Sequence, residues 1–175
     1  MKTRTKQILM VMNVASWLIF LGLCIQTGAV VISFFVSLFV NPAGAQNLYL
    51  GLNLSALYQY STGHYVAMVS FIIFLLASKA FMFYLTIQIF TKTNLVHSFS
   101  TDVASLVGRI SYVSAAIGLL ALVAKTYSDW LTKSGVAVPY NWGNGEFLFL
   151  AGIIFIMAQV FKRGFELQQE QDLTI

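Results

Sequence analysis

Long apolar runs separated by short polar stretches set the pattern of this chain. The runs extend from about Ile8 to Val40, His64 to Phe90, Val103 to Leu131 and Glu146 to Phe161. A bilayer core about 30 Å thick is crossed by roughly 20 mostly apolar residues in helix. Backbone groups in hydrocarbon must be paired within their own segment, so each run is predicted to be a transmembrane helix and not a loop. The expected fold class is an all-α membrane protein, a compact four-transmembrane-helix bundle in which residues 1–175 form one integral membrane domain. The spans fall at about 8–40, 64–90, 103–131 and 146–161. They leave outer loops at 41–63 and 132–145, an inner loop at 91–102 and a tail at 162–175.

The first run follows Lys2, Arg4 and Lys6 and precedes Ala43-Gly44-Ala45, which gives it the outline of a signal peptide. Its apolar part is about twice the roughly 7–15 residues of such a peptide, so an uncleaved anchor is expected. It is also longer than the bilayer is thick. It must tilt, bend or project, with Gln26, Thr27 and Gly28 the expected place of a bend.

Basic residues set the orientation, because cytoplasmic loops retain Lys and Arg. Lys2, Arg4, Lys6, Lys92, Arg109, Lys162 and Arg163 fall on one side, against Lys125 and Lys133 on the other. Both termini are therefore expected inside (N-in/C-in), with the chain in the inner (cytoplasmic) membrane. Tyr58, Tyr60, Tyr65, Tyr127, Trp130, Tyr140 and Trp142 are expected to form an aromatic belt at the outer interface.

Leu48, Leu50, Leu52 and Leu54 alternate along the first outer loop, and period-two spacing predicts a strand. Val136, Val138 and Tyr140 stand between Gly135 and the turn-prone Gly143-Asn144-Gly145 in the second. The two loops are expected to pair as a small extracytoplasmic β-ribbon. The alternative is a short interfacial helix around Leu52 to Tyr60. In the inner loop, Ser100, Thr101 or Asp102 can cap the third helix.

Composition supports the membrane reading. Hydrophobic residues make up 58% of the chain and charged residues 9%, too few charges to clothe a soluble surface. The net charge of +4 is spread around the spans and makes no nucleic-acid face. Cys24 is the sole cysteine, which excludes an internal disulfide and a cysteine metal site.

The C-terminal region carries a resemblance. Ala158-Gln159-Val160-Phe161-Lys162-Arg163-Gly164 leads into Glu166-Leu167-Gln168-Gln169-Glu170-Gln171-Asp172-Leu173-Thr174-Ile175. This basic-Gly step and E-L-Q-x-E-x-D-L-T-I ending resemble a family of small bacterial four-span membrane proteins of unknown function. Phe99-Ser100 ahead of the third span is also similar, although Ser98 stands where family members often have Pro. Some relatives are encoded beside a small helix-turn-helix regulator, so the resemblance implies a regulatory partner on the cytoplasmic side. It implies no catalytic residues.

Lys79 is the residue most open to chemistry. It lies near the middle of the second span, where a charge costs about 2.5–3.5 kcal/mol on insertion scales. No Asp or Glu is expected in the dry part of any span, so Lys79 is expected to lack an internal partner. Thr86 shares its helix face. The functional reading is an ion, lipid-headgroup or partner-carboxylate site; the structural one is a lysine turned into the bundle and bonded to neighbouring polar groups. Asn13, Gln26, Gln88 and Gln159 are expected to act as interhelical glue. Ser111, Ser114, Ala115 and Gly118 place small residues at spacings that permit close helix contact. His64 and His97 are expected at opposite surfaces, each solvated or interfacial.

In the tail, Lys162 and Glu166 are spaced to pair on a helix. Glu166, Glu170, Asp172 and Leu173 form a candidate docking motif for a cytosolic protein; a solvated helix end is the plainer reading. No catalytic constellation, metal cluster or phosphate-binding loop is present in the sequence, so no cofactor and no enzymatic activity are expected. The expected function is that of a regulatory, sensory or assembly partner acting by protein–protein contact in the lipid bilayer, without direct nucleic-acid binding. Its expected partner is a cytoplasmic helix-turn-helix regulator or another membrane protein, or a second copy in a homo-oligomer. The runner-up is a small channel or transporter component using Lys79, and a membrane enzyme comes third.

Overall fold

The structure, a computed structural model, describes residues 2–92, 101–143 and 145–172. The described residues form five α-helices and one 3₁₀ turn: α1 (Lys2–Phe39), the turn (Pro42–Gln46), α2 (Ser55–Tyr60), α3 (Thr62–Lys92), α4 (Thr101–Lys133) and α5 (Glu146–Asp172). Four of the helices carry stretches long and apolar enough to cross a membrane: Gln7–Phe39, Thr62–Thr91, Asp102–Lys133 and Glu146–Gly164. The protein is thus an all-helical membrane protein. Expectations for His97, Phe99-Ser100 and Leu173 lie outside the described residues, as do the side chains of Lys2, Arg4, Lys6, Glu170 and Asp172.

α1 continues without a break through Gln26, Thr27 and Gly28, and the Thr27 hydroxyl donates to the Leu23 carbonyl at 2.7 Å. It stops before Pro42, whose ring disfavours helical backbone in the residue ahead of it. The Asn41 side chain then caps the turn by accepting from Ala43 N–H at 2.9 Å.

Among the described residues there is no strand, and the expected β-ribbon gives way to its alternative, a short helix. The alternation of leucines is broken at its centre. Leu50 and Gly51 take φ of 43° and 87°, and Leu52 N–H bonds back to the Tyr49 carbonyl at 3.0 Å. This turn sends Leu48 and Leu54 into the core and leaves Leu50 85% exposed. Left-handed backbone at a non-glycine residue costs about 1–2 kcal/mol, so Leu50 is a strained position. Asn53 accepts from Ser55 N–H at 2.9 Å and starts α2.

The helices form an open row and not a closed bundle. α1 packs on α3, α3 on α4 and α4 on α5; among the described residues α1 meets neither α4 nor α5. Successive helices run antiparallel, so both chain ends lie at one end of the row. The other end is capped by residues 40–61 and 134–145. The main core sits towards this capped end, around Leu48, Leu54, Leu57, Tyr65, Met68 and Ile72. The opposite half of α1 exposes Ile8, Met10, Val11, Trp17 and Leu18. Such a surface is unfavourable in water and natural in lipid.

Two of the tyrosine and tryptophan positions expected in an aromatic belt are buried instead. Tyr65 has no exposed surface and shares a 2.7 Å hydrogen bond with Ser37, while Trp142 is buried beside Tyr140. Tyr60, His64, Tyr127 and Trp130 make the surface cluster: His64 bonds to the Tyr127 hydroxyl and packs against the rings of Tyr60 and Trp130. His64 is therefore tied into the helix pair α3–α4 rather than simply solvated.

Candidate functional site

The heights of the four long helices can be matched through their contacts. Phe20 meets Tyr84 and Phe34 meets Tyr65 between α1 and α3. Ser114 donates to Met82 Sδ and Tyr127 meets Phe71 between α3 and α4. Ser111 donates to the Ala151 carbonyl at 3.0 Å, and Tyr112 meets Phe155, between α4 and α5. Along these pairs Gln26, Leu76 and Gly118 lie at nearly one height. The first turn of α5 lies there too, because a Cβ placed on Gly118 would stand 2.6 Å from Leu148 Cγ and 3.0 Å from Leu148 N.

α5 thus begins about 22 Å short of the Lys133 end of α4, at 1.5 Å per residue. Residues 134–143 and 145, which form no helix, lie between the end of α4 and this level. Val136, Val138 and Trp142 of this segment are buried. Ser134, Gly135 and Val136 N–H bond back to the last turn of α4; beyond them, among the described residues, Tyr140 N–H bonds to the Val138 carbonyl and Gly143 N–H to Asn141 Oδ1. The driest part of α4, Ile110 to Ala124, brackets the level at which the segment ends. Non-helical backbone at such depth is tolerated only when covered by protein or when it lines a wet cavity.

A cavity of ≈ 300 Å³ lies against this segment. Pro139, Tyr140 and Asn141 form one wall, Gln26 and Val30 of α1 another, and Ile72 and Leu76 of α3 a third. The strained turn at Tyr49–Leu52 stands at the capped end. Gln26, Tyr49 and Tyr140 line it with side-chain polar atoms that have no hydrogen-bond partner among the described residues. Gln26 is therefore not the interhelical glue expected of it. Asn13 is not glue through its carbonyl either, since its buried Oδ1 is unpartnered. Burial raises the Tyr140 phenol above its ordinary pKa and keeps it protonated.

Lys79 lies one helical turn beyond Leu76, towards the end of the row that holds the termini. Its Nζ stands 5.2 Å from the centre of the Phe147 ring. The sequence left Lys79 without an acidic neighbour. The early start of α5 places Glu146 next to Phe147, at about the level of Gly118. Glu146 is exposed and forms no ion pair with Lys79. The sequence offered one sign of it, the turn-prone stretch around Gly143 and Gly145 immediately ahead of a lone acid. Thr86 takes no part, since its hydroxyl donates to the Met82 carbonyl at 3.0 Å.

The small residues of α4 act as packing. Ser111 and Gly118 touch α5, and Ser114 touches α3. In the tail, Glu166 pairs with Arg163 at 3.2 Å and not with the expected Lys162. Among the described residues no cluster of His, Cys, Asp and Glu is placed to hold a metal ion.

No curated protein and no solved structure matches the chain. A family model matches residues 49–175, well over half the chain and including the cavity's loop walls, Lys79 and all of α5. The chain belongs to that family, described as "Protein of unknown function (DUF2975)".

Proposed function

We propose that the chain is a non-enzymatic sensory or regulatory subunit of the bacterial inner membrane, with both termini in the cytoplasm. One observation carries this reading: α5 is a single helix from Glu146 to Asp172, so its membrane-crossing stretch and the tail are one element. Its apolar stretch ends at Gly164, so its last turns project beyond the span. A change at the outer end of α5 can therefore be carried to the tail along one continuous helix. The docking surface is the acidic and apolar ending, with Glu166, Glu170, Asp172 and Leu173. Its partner is a cytoplasmic protein, for which the helix-turn-helix regulator implied by the sequence resemblance is the first candidate. Another membrane protein or a second copy of the chain could occupy the same surface.

Co-purification from native membranes under mild detergent tests this. Truncation after Gly164 is expected to abolish partner recovery and leave membrane insertion intact. Equal recovery with the truncated chain contradicts tail docking. Reporter fusions that place the two termini on opposite faces contradict the topology.

The second reading, a channel or transporter component, draws on Lys79 within α3, beside the Phe147 ring of α5. Charged side chains within spans mark ion and substrate paths in transporters. Flux in proteoliposomes that disappears in Lys79→Met favours it. Absence of flux in the unmodified protein removes it.

A further inference from the structure

We propose that the cavity between α1, α3 and residues 139–141 binds a small neutral amphiphile with one ring and carbonyl or hydroxyl oxygens, the chemistry of a quinone or phenol headgroup. The size, ≈ 300 Å³, lies at the small end of ligand pockets. The charge follows from the walls. No Asp, Glu, Lys, Arg or His lines the cavity, so a charged ligand would lose its water without gaining a counter-charge.

The polar groups follow from what is left unpaired. Gln26 offers an amide donor and acceptor, and Tyr49 and Tyr140 offer hydroxyls, all without protein partners among the described residues. Oxygen atoms on a ligand would pair with these half-buried groups. The ring follows from the two tyrosine rings that line the cavity, Tyr49 and Tyr140, the latter backed by Trp142 at 4.6 Å, centre to centre. Trp142 is itself buried with its indole N–H unpartnered. Val30, Ile72 and Leu76 supply the apolar floor.

Leu50 completes the site. It lines the cavity with 85% of its surface exposed, on strained backbone. Strain and exposed apolar surface together suit a residue that folds over a bound molecule. As the input to a sensory subunit this rests on the reading above. Binding itself is measured on the purified chain without any partner, so the two can fail separately.

The test uses the full chain in nanodiscs with Trp17→Phe and Trp130→Phe, which leaves Trp142 as the reporter. A decyl-benzoquinone is titrated and tryptophan quenching is read. Saturable quenching is expected, weakened about 10-fold by Gln26→Leu, the loss of one hydrogen-bonding group to the ligand. Leu50→Ala, an exposed site that leaves the fold unstressed, is expected to weaken binding as well. Gln159→Leu, an amide far from the cavity, is expected to leave it unchanged. Linear, non-saturating quenching that is equal in all variants overturns the site. Benzoate binding as tightly as the quinone overturns the assignment of a neutral ligand.

Discussion

The Lys79 ammonium faces the ring of Phe147 across 5.2 Å, joining the middle of α3 to the first turn of α5. An aromatic face returns about 0.5–2 kcal/mol to a cation. That is less than the roughly 2.5–3.5 kcal/mol cost of a charge at mid-span. Lys79→Met is therefore expected to stabilise the purified protein, by about 0.5–3 kcal/mol, the difference of those two ranges. Thermal unfolding in detergent measures it. A lower midpoint would mean that a counter-charge, with Glu146 the nearest candidate, holds the lysine more strongly than the ring does.

Gly118 and Gly152 make a controlled pair. A Cβ at Gly118 would press on Leu148, whereas one at Gly152 meets nothing within 4 Å. Gly118→Ala is expected to destabilise by about 1–3 kcal/mol through overpacking. Gly152→Ala is expected to be neutral or to stabilise by up to about 1 kcal/mol from helix propensity. Equal effects would show that α5 does not approach α4 so closely.

Ser37 and Tyr65 predict an asymmetry. Ser37 donates to the Phe34 carbonyl and also bonds to the Tyr65 hydroxyl, both at 2.7 Å. Tyr65→Phe leaves Ser37 with a partner and is expected to cost about 0.6 kcal/mol, and at most roughly 1.7. Ser37→Ala strands a fully buried hydroxyl and is expected to cost more, about 1–3 kcal/mol. A double-mutant cycle in denaturant checks the order.

Tyr140 predicts a pH dependence. Burial raises its folded pKa above the unfolded value of about 10. The unfolded chain then releases this proton first, so the contribution is flat below about pH 10 and turns destabilising as pH rises beyond it. Comparison of unfolding from pH 8 to 11 is expected to show a steeper alkaline loss in the unmodified protein than in Tyr140→Phe. Identical slopes would place the phenol in water.

The spans were legible because lipid imposes one rule on every backbone group, and apolar length satisfies it. What the sequence concealed was height. The run from Glu146 onwards reads as a full span beginning at an outer loop. Only the contacts of Gly118 and Ser111 show that it begins halfway down α4. That displacement sets residues 139–141 of the connection against the cavity and Phe147 beside Lys79. The leucine alternation at 48–54 misled for a local reason, since a turn at Leu50-Gly51 preserves the burial of Leu48 and Leu54 without a strand. Gln26 was visible as a polar residue in a span, but nothing in its neighbours along the chain points to a cavity that it shares with residues 49–52, 72, 76 and 139–141.

Disulfide cross-linking tests the height of α5 most directly. In a Cys24→Ser background, Leu148→Cys is combined with either Gly118→Cys or Leu131→Cys and the protein is oxidised in membranes. Efficient cross-linking of position 148 to 118, and none to 131, is the expected result. Linkage to 131 and not to 118 would mean that α5 starts level with the end of α4, leaving no cavity wall at residues 139–141 and no Phe147 ring beside Lys79.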